Sequence, residues 1–169
     1  MKKSLTGCVT ATLLVIAAAM AVLLVPAWLR SPDDPLARMF RTEADLTALS
    51  HAVDVYREQE GAYPPPGLDG LERAAAALSR NMDYFAKGPP RDAWDLPYIY
   101  VPATEYANET RKALKDGAGG WFAPDTFQLY STGADGEAGL TNPEAQRDNI
   151  TSWDKTKSWR KIYRNLPRD

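Results

Sequence analysis

From Val9 to Leu29 the chain runs for 21 residues without a charged side chain. At a rise of about 1.5 Å per residue, a helix of that length spans about 30 Å, the thickness of a bilayer's hydrocarbon layer. The run reads as a membrane helix over residues 8–30, leaving a remainder of about 135 residues, enough for one domain with a single core. Lys2 and Lys3 precede the run, whereas Arg30 is followed by Asp33 and Asp34. That asymmetry favours a cytoplasmic N-terminus and a remainder outside the cytoplasm.

Three readings compete with a plain anchor. A secretory signal removed near Ala27 wants a shorter apolar run and a small-x-small site, and Pro26-Ala27-Trp28-Leu29 is a poor one. Leu5-Thr6-Gly7-Cys8 looks like a lipoprotein box, but lipoprotein processing needs the apolar run before the cysteine, and here it follows. The third is a short basic leader, residues 1–7, ending at Gly7 with the membrane helix beginning at Cys8. Composition narrows the function classes further. A net charge of -2 gives no overall pull toward nucleic acid. Cys8 is the single cysteine and His51 the single histidine, so neither an intramolecular disulfide nor a Cys/His metal cluster can form.

Ser31-Pro32-Asp33-Asp34-Pro35 reads as a kink or linker, because each proline removes a backbone donor and restricts the residue before it. Asp33 or Asp34 can cap the next helix, with Pro35 at its first position and the helix ending near Glu60, before Gly61. Leu46, Leu49, Val53 and Tyr56 form its apolar stripe, and His51 falls on the far side, facing solvent. A connector helix is expected over Leu68 to Leu78. Tyr98-Ile99-Tyr100-Val101 and Phe127-Gln128-Leu129-Tyr130 read as antiparallel strands, with Ile150 to Trp153 a third and Glu105 to Gly120 a loop with a helical turn. The expected class is α+β: a long N-terminal membrane helix, then a domain over residues 36–153 in which a helix packs on a small antiparallel sheet. The tail, residues 154–169, carries six basic residues against Asp154 and Asp169. Trp159, Ile162, Tyr163 and Leu166 share one face of a short amphipathic helix. It either packs on its own sheet or docks an acidic partner or lipid head groups.

Four segments in order resemble the major pseudopilins of type II secretion systems: Asp45 to Arg57 with Gly61-Ala62-Tyr63-Pro64; Pro90-Arg91-Asp92-Ala93-Trp94-Asp95-Leu96-Pro97-Tyr98; Phe127 to Gly136; and Asp148-Asn149-Ile150-Thr151-Ser152-Trp153. The resemblance implies a pilin-like fold and a prepilin leader cut after Gly7 by a prepilin peptidase, with methylation of the new N-terminus at Cys8. It implies a single-pass protein of the bacterial inner membrane with its C-terminal domain in the periplasm. Its partners would be copies of itself, other pseudopilins and the inner-membrane secretion platform. It also implies calcium, held by the side chains of Asp135, Asp148 and Asn149 and the carbonyls of Thr132 and Glu137, oxygen ligands of the kind that ion prefers. Read without the resemblance, Asp135-Gly136 is also an ordinary turn. Without the ion, the loop would depend on Leu140, Pro143 and side-chain hydrogen bonds.

The chain also departs from the family pattern. A cut after Gly7 places Cys8 first and Thr12 fifth in the mature chain, where the family has phenylalanine and glutamate. Ala93, Asp95 and Leu96 stand for proline, glycine and asparagine. Asn149 stands for a carboxylate, the segment from Gly136 to Asp148 is longer, and the basic tail is extra. No phosphate loop or nucleophile elbow is present, so the expectation is a structural subunit and not an enzyme. The alternative is a stand-alone, membrane-tethered periplasmic domain that binds a partner.

Overall fold

The structure is a computed structural model that describes residues 33–78, 89–140 and 143–165. The leader, with Gly7 and Cys8, and the expected membrane helix over 8–30 lie outside the described residues. Among the described residues no helix is long and apolar enough to cross a membrane.

Helix α1 spans Pro35–Glu60. Its start is set by Asp34, whose Oδ1 accepts from the amides of Leu36 and Ala37 at 2.8 and 3.1 Å, with Pro35 needing no partner at the first position. Its end is set by Gly61, whose φ of 75° lets its amide turn back to the Arg57 carbonyl. Leu36, Met39, Leu46, Leu49, Ala52 and Val53 line its buried face, and His51 is exposed. Helix α2, Leu68–Leu78, packs on α1 through Leu71 and Ala74, small enough for close approach.

Three strands follow, β1 at Ile99–Pro102, β2 at Phe127–Ser131 and β3 at Ile150–Thr151, in the spatial order β1-β2-β3 with both pairings antiparallel. The fold is therefore α+β, with helices on a small antiparallel sheet. Every residue of the central β2 is buried because both of its faces are covered. Phe127 and Leu129 join the core under α1. On the other face Gln128 accepts from the Leu114 amide at 2.6 Å and donates to the carbonyls of Leu114 and Phe122, each at 2.9 Å. Tyr130 donates its hydroxyl to the Lys112 carbonyl beside it. The segment expected as loop with a helical turn is thus pinned to the sheet, with one 3₁₀ turn at Glu109–Arg111.

The third strand is shorter than expected. After Ser152 donates to the Leu129 carbonyl, the chain leaves the sheet so that Trp153 can stack on Phe122, with ring centroids 5.5 Å apart. Beyond it, helix α3 at Trp159–Asn165 lies against α1. Trp159 and Tyr163 enter the main core, and Ile162 is half-buried. The residues that joined the tail in sequence therefore divide by face, with Lys161 and Arg164 left in solvent.

Candidate functional site

The loop from Ser131 to Asn149 leaves β2 and returns to β3, so its two ends are held side by side by the sheet. Asp148 sits at the returning end and organises the outgoing one. Its Oδ2 accepts from the amides of Ala134 and Asp135 at 2.9 and 3.3 Å. Asp135 in turn accepts from the Glu137 amide at 2.7 Å, a local turn that directs its carboxylate. Asn149 is buried and donates its side-chain N–H to the Ala138 carbonyl at 3.1 Å, while its Oδ1 has no hydrogen-bond partner. Thr132 is buried and Glu137 exposed.

Asp135 and Asp148 line one open cavity with Ala134 and Ile162. Burial pushes the Asp148 carboxyl above its ordinary value, and the neighbouring charge of Asp135 adds to this against the opposing amide bonds. The structure thus brings together the two carboxylates expected from the sequence. The buried amide oxygen of Asn149, left without a partner, belongs to a residue that lines a separate cavity with Gln146 and Trp153. Among the described residues no three Asp, Glu, His or Cys side chains form a metal-binding group. An ion here would depend on two carboxylates, one amide and main-chain carbonyls.

Leu140 does not hold the loop, since it is 49% exposed. That work falls to Tyr163 from α3, which sequence reasoning placed only as an apolar position. Its hydroxyl donates to the Asp148 carbonyl at 3.0 Å and accepts from the Ala134 amide at 3.1 Å, while its ring lies 5.4 Å from that of Trp94. Burial and the Asp148 charge push this hydroxyl well above its usual range. The available signal was that a tyrosine, with a polar tip, stood where a phenylalanine would complete the stripe.

Asp92, marked in the sequence only as part of a resembling segment, organises the neighbouring turn. It is buried, and it accepts from the amides of Trp94 and Leu96 and from the Ser131 hydroxyl, which itself receives the Gly133 amide. The turn it closes puts Asp95 at φ 64°, the left-handed backbone that glycine adopts freely. At the far end of α3, Glu43 of α1 binds both Lys157 and Arg160. Burial pulls the Glu43 carboxyl up, but the bonds from those two cations outweigh it and hold it below its usual value.

The family model for type II secretion system protein G matches residues 32–121, which runs from the start of α1 through β1 and the 112–121 turn. The chain is similar to the type II secretion system core protein G of Pseudomonas aeruginosa, at 30% identity over 149 residues that cover 83% of this chain and 87% of that protein. It is also similar to the proteins of that name from Escherichia coli, at 28% identity over 68% of this chain and 66% of the relative, and from Aeromonas hydrophila, at 27% over 65% and 64%. No solved structure gives a significant match. The matched span takes in the capped helix, its apolar face and the first strand of the sheet, and the Pseudomonas alignment extends over most of the rest. The chain belongs to the type II secretion system protein G family.

Proposed function

We propose that the chain is a non-enzymatic structural subunit of a type II secretion pseudopilus, or of a related pilin-like assembly, supporting protein export across the outer membrane. The observation that carries this reading is α1, a capped helix of 26 residues whose buried stripe packs against the sheet. It starts six residues after Leu29, where the 21-residue uncharged run ends. In this reading the run serves first as an anchor in the inner membrane and then, with α1, as packing material in a filament. The domain sits in the periplasm, and the inner-membrane platform and other pseudopilins are the partners. Head-to-tail contacts between different faces permit open helical growth, driven by burial of the apolar run.

The same reading has a prepilin peptidase cut after Gly7, leaving Cys8 as the methylated first residue. In Gly7→Ala the chain is expected to keep its first seven residues. Intact mass of the membrane-extracted protein checks this. Wild-type protein that retains Met1 or Lys2, or a variant processed like wild type, would show that the leader reading is wrong.

In this reading the loop holds calcium through Asp135, Asp148, Asn149 and the carbonyls of Thr132 and Glu137. The ion would supply fixed positive charge between two carboxylates. At a hundredfold excess over its dissociation constant, a bound ion stabilises the folded state by about 2.7 kcal/mol. Full-length protein in detergent should therefore melt several degrees higher with calcium than with chelator, and Asp135→Ala should lose most of that gap. Identical wild-type melting in both conditions would remove calcium from the reading while leaving the assembly role intact.

A further inference from the structure

We propose that a groove between α1 and the 151–159 segment receives an acidic side chain from a second copy of this chain, supplied by Asp54, Glu58 or Glu60 at the far end of α1. The inference rests on the assembly role above and names the contact between copies.

The groove has a volume of about 380 Å³, and Ser50 and Trp159 stand in its wall. Ser50 Oγ and Trp159 Nε1 are both buried with no hydrogen-bond partner. An indole N–H is a donor only and a serine hydroxyl can donate, so the pair asks for an acceptor. The other charged groups lining the groove are mostly committed. Lys157 is held with Arg160 by Glu43, and Asp154 accepts from the amides and hydroxyls of Thr156 and Ser158. Lys155 remains, exposed and with no ion pair to a described residue. Two orphan donors and a free ammonium at the rim suit a carboxylate.

The chain carries matching carboxylates. Asp54, Glu58 and Glu60 are exposed and form no ion pair with a described residue. Their positions disfavour the helix that holds them: Glu58 and Glu60 lie in its last turn, where the helix dipole is negative, and Asp54 repels Glu58 one turn on. Helix α1 has no acidic residue in its first turn to offset this. Acidic residues placed against local stability are accounted for by a partner outside the subunit. From Ser50 to Glu58 the axial rise is about 12 Å, so a neighbouring copy set beside the first and shifted by about that distance along the axis brings its acidic end level with the groove. Groove and acidic end are different surfaces, so the contact repeats without closing.

The test uses the full chain assembled in membranes from a mixture of isotopically light and heavy copies, treated with a zero-length carbodiimide and mapped by mass spectrometry. A mixed-label link between Lys155 and Asp54, Glu58 or Glu60 is expected. Lys155→Glu, and separately the double variant Glu58→Lys with Glu60→Lys, should each lower the assembled fraction about tenfold, and combining all three should restore most of it. Thermal melting should not fall in any variant, because none of these side chains has an ion-pair partner among the described residues, and it should rise slightly in Glu58→Lys with Glu60→Lys, where the unfavourable charges at the helix end are removed. Wild type that assembles without the link, or variants that assemble normally, would overturn this contact alone. A combined variant that fails to recover would also overturn it, assigning Lys155 to another partner such as anionic lipid. Wild type that does not assemble at all would overturn both this contact and the assembly role.

Discussion

Leu49→Ala is expected to destabilise the domain by about 2 to 5 kcal/mol, the cost of lost transfer energy plus the cavity left behind. Leu49 is fully buried, at 0% exposure, in the middle of the α1 stripe. It belongs to the same core as Leu46, Val53, Tyr98, Phe127 and Leu129, so α1 and the sheet share it. The cavity should sit toward the upper end of this cost, because neighbours held by sheet pairing on one side and by α2 on the other have little room to collapse inward. His51→Ala, two positions on but exposed, should stay within about 0.5 kcal/mol of wild type. Thermal or denaturant melting of the two variants checks the contrast. Equal stability in both would mean that the stripe is not core.

The second large effect is expected at Gly133. Its φ is 69°, and a Cβ added there would lie 2.5 Å from both the carbonyl oxygen and Oδ2 of Asp148 and 2.7 Å from the Tyr163 hydroxyl. Gly133→Ala therefore combines left-handed backbone strain of about 1 to 2 kcal/mol with overpacking of about 1 to 3 kcal/mol. The atoms that must give way are those tying the loop to α3, so relief comes by breaking the Tyr163 contacts. Hydrogen exchange should rise over the 131–149 loop and the 159–165 helix together. Gly136→Ala is the control, since its φ of 74° is equally left-handed but the nearest atom is a flexible Leu96 Cδ1 at 3.4 Å. It should lose only the backbone part. If the two variants melt alike, the Asp148–Tyr163 junction does not hold the loop.

Much of the domain was legible in the amino-acid order because its signals are local. Asp34, Pro35 and Gly61 set the ends of α1 through capping rules that involve a few neighbouring residues, and the leucine stripe declares its buried face through the helical period. The two longer strands stood out as short aromatic and β-branched runs, and Asp135 and Asp148 marked a loop that the structure does draw together. The places where expectation and structure part are long in sequence separation. Glu43 meets Lys157 and Arg160 across more than a hundred residues, and the Gln128 side chain sews down a segment whose composition read only as polar loop.

What the sequence by itself determined is the frame: an uncharged run long enough to cross a bilayer, a capped helix with one apolar face, and strands to cover it. Periodicity and capping act within a few residues, so they can be read without knowing the fold. Only the tertiary structure decided that Tyr163 locks the Asp148 loop, that Leu140 does not, and that Ser50 and Trp159 leave two donors unpaired in one groove. Those outcomes depend on which polar atoms meet when distant segments pack. Burial makes each such meeting or omission costly, yet nothing in the local pattern encodes it.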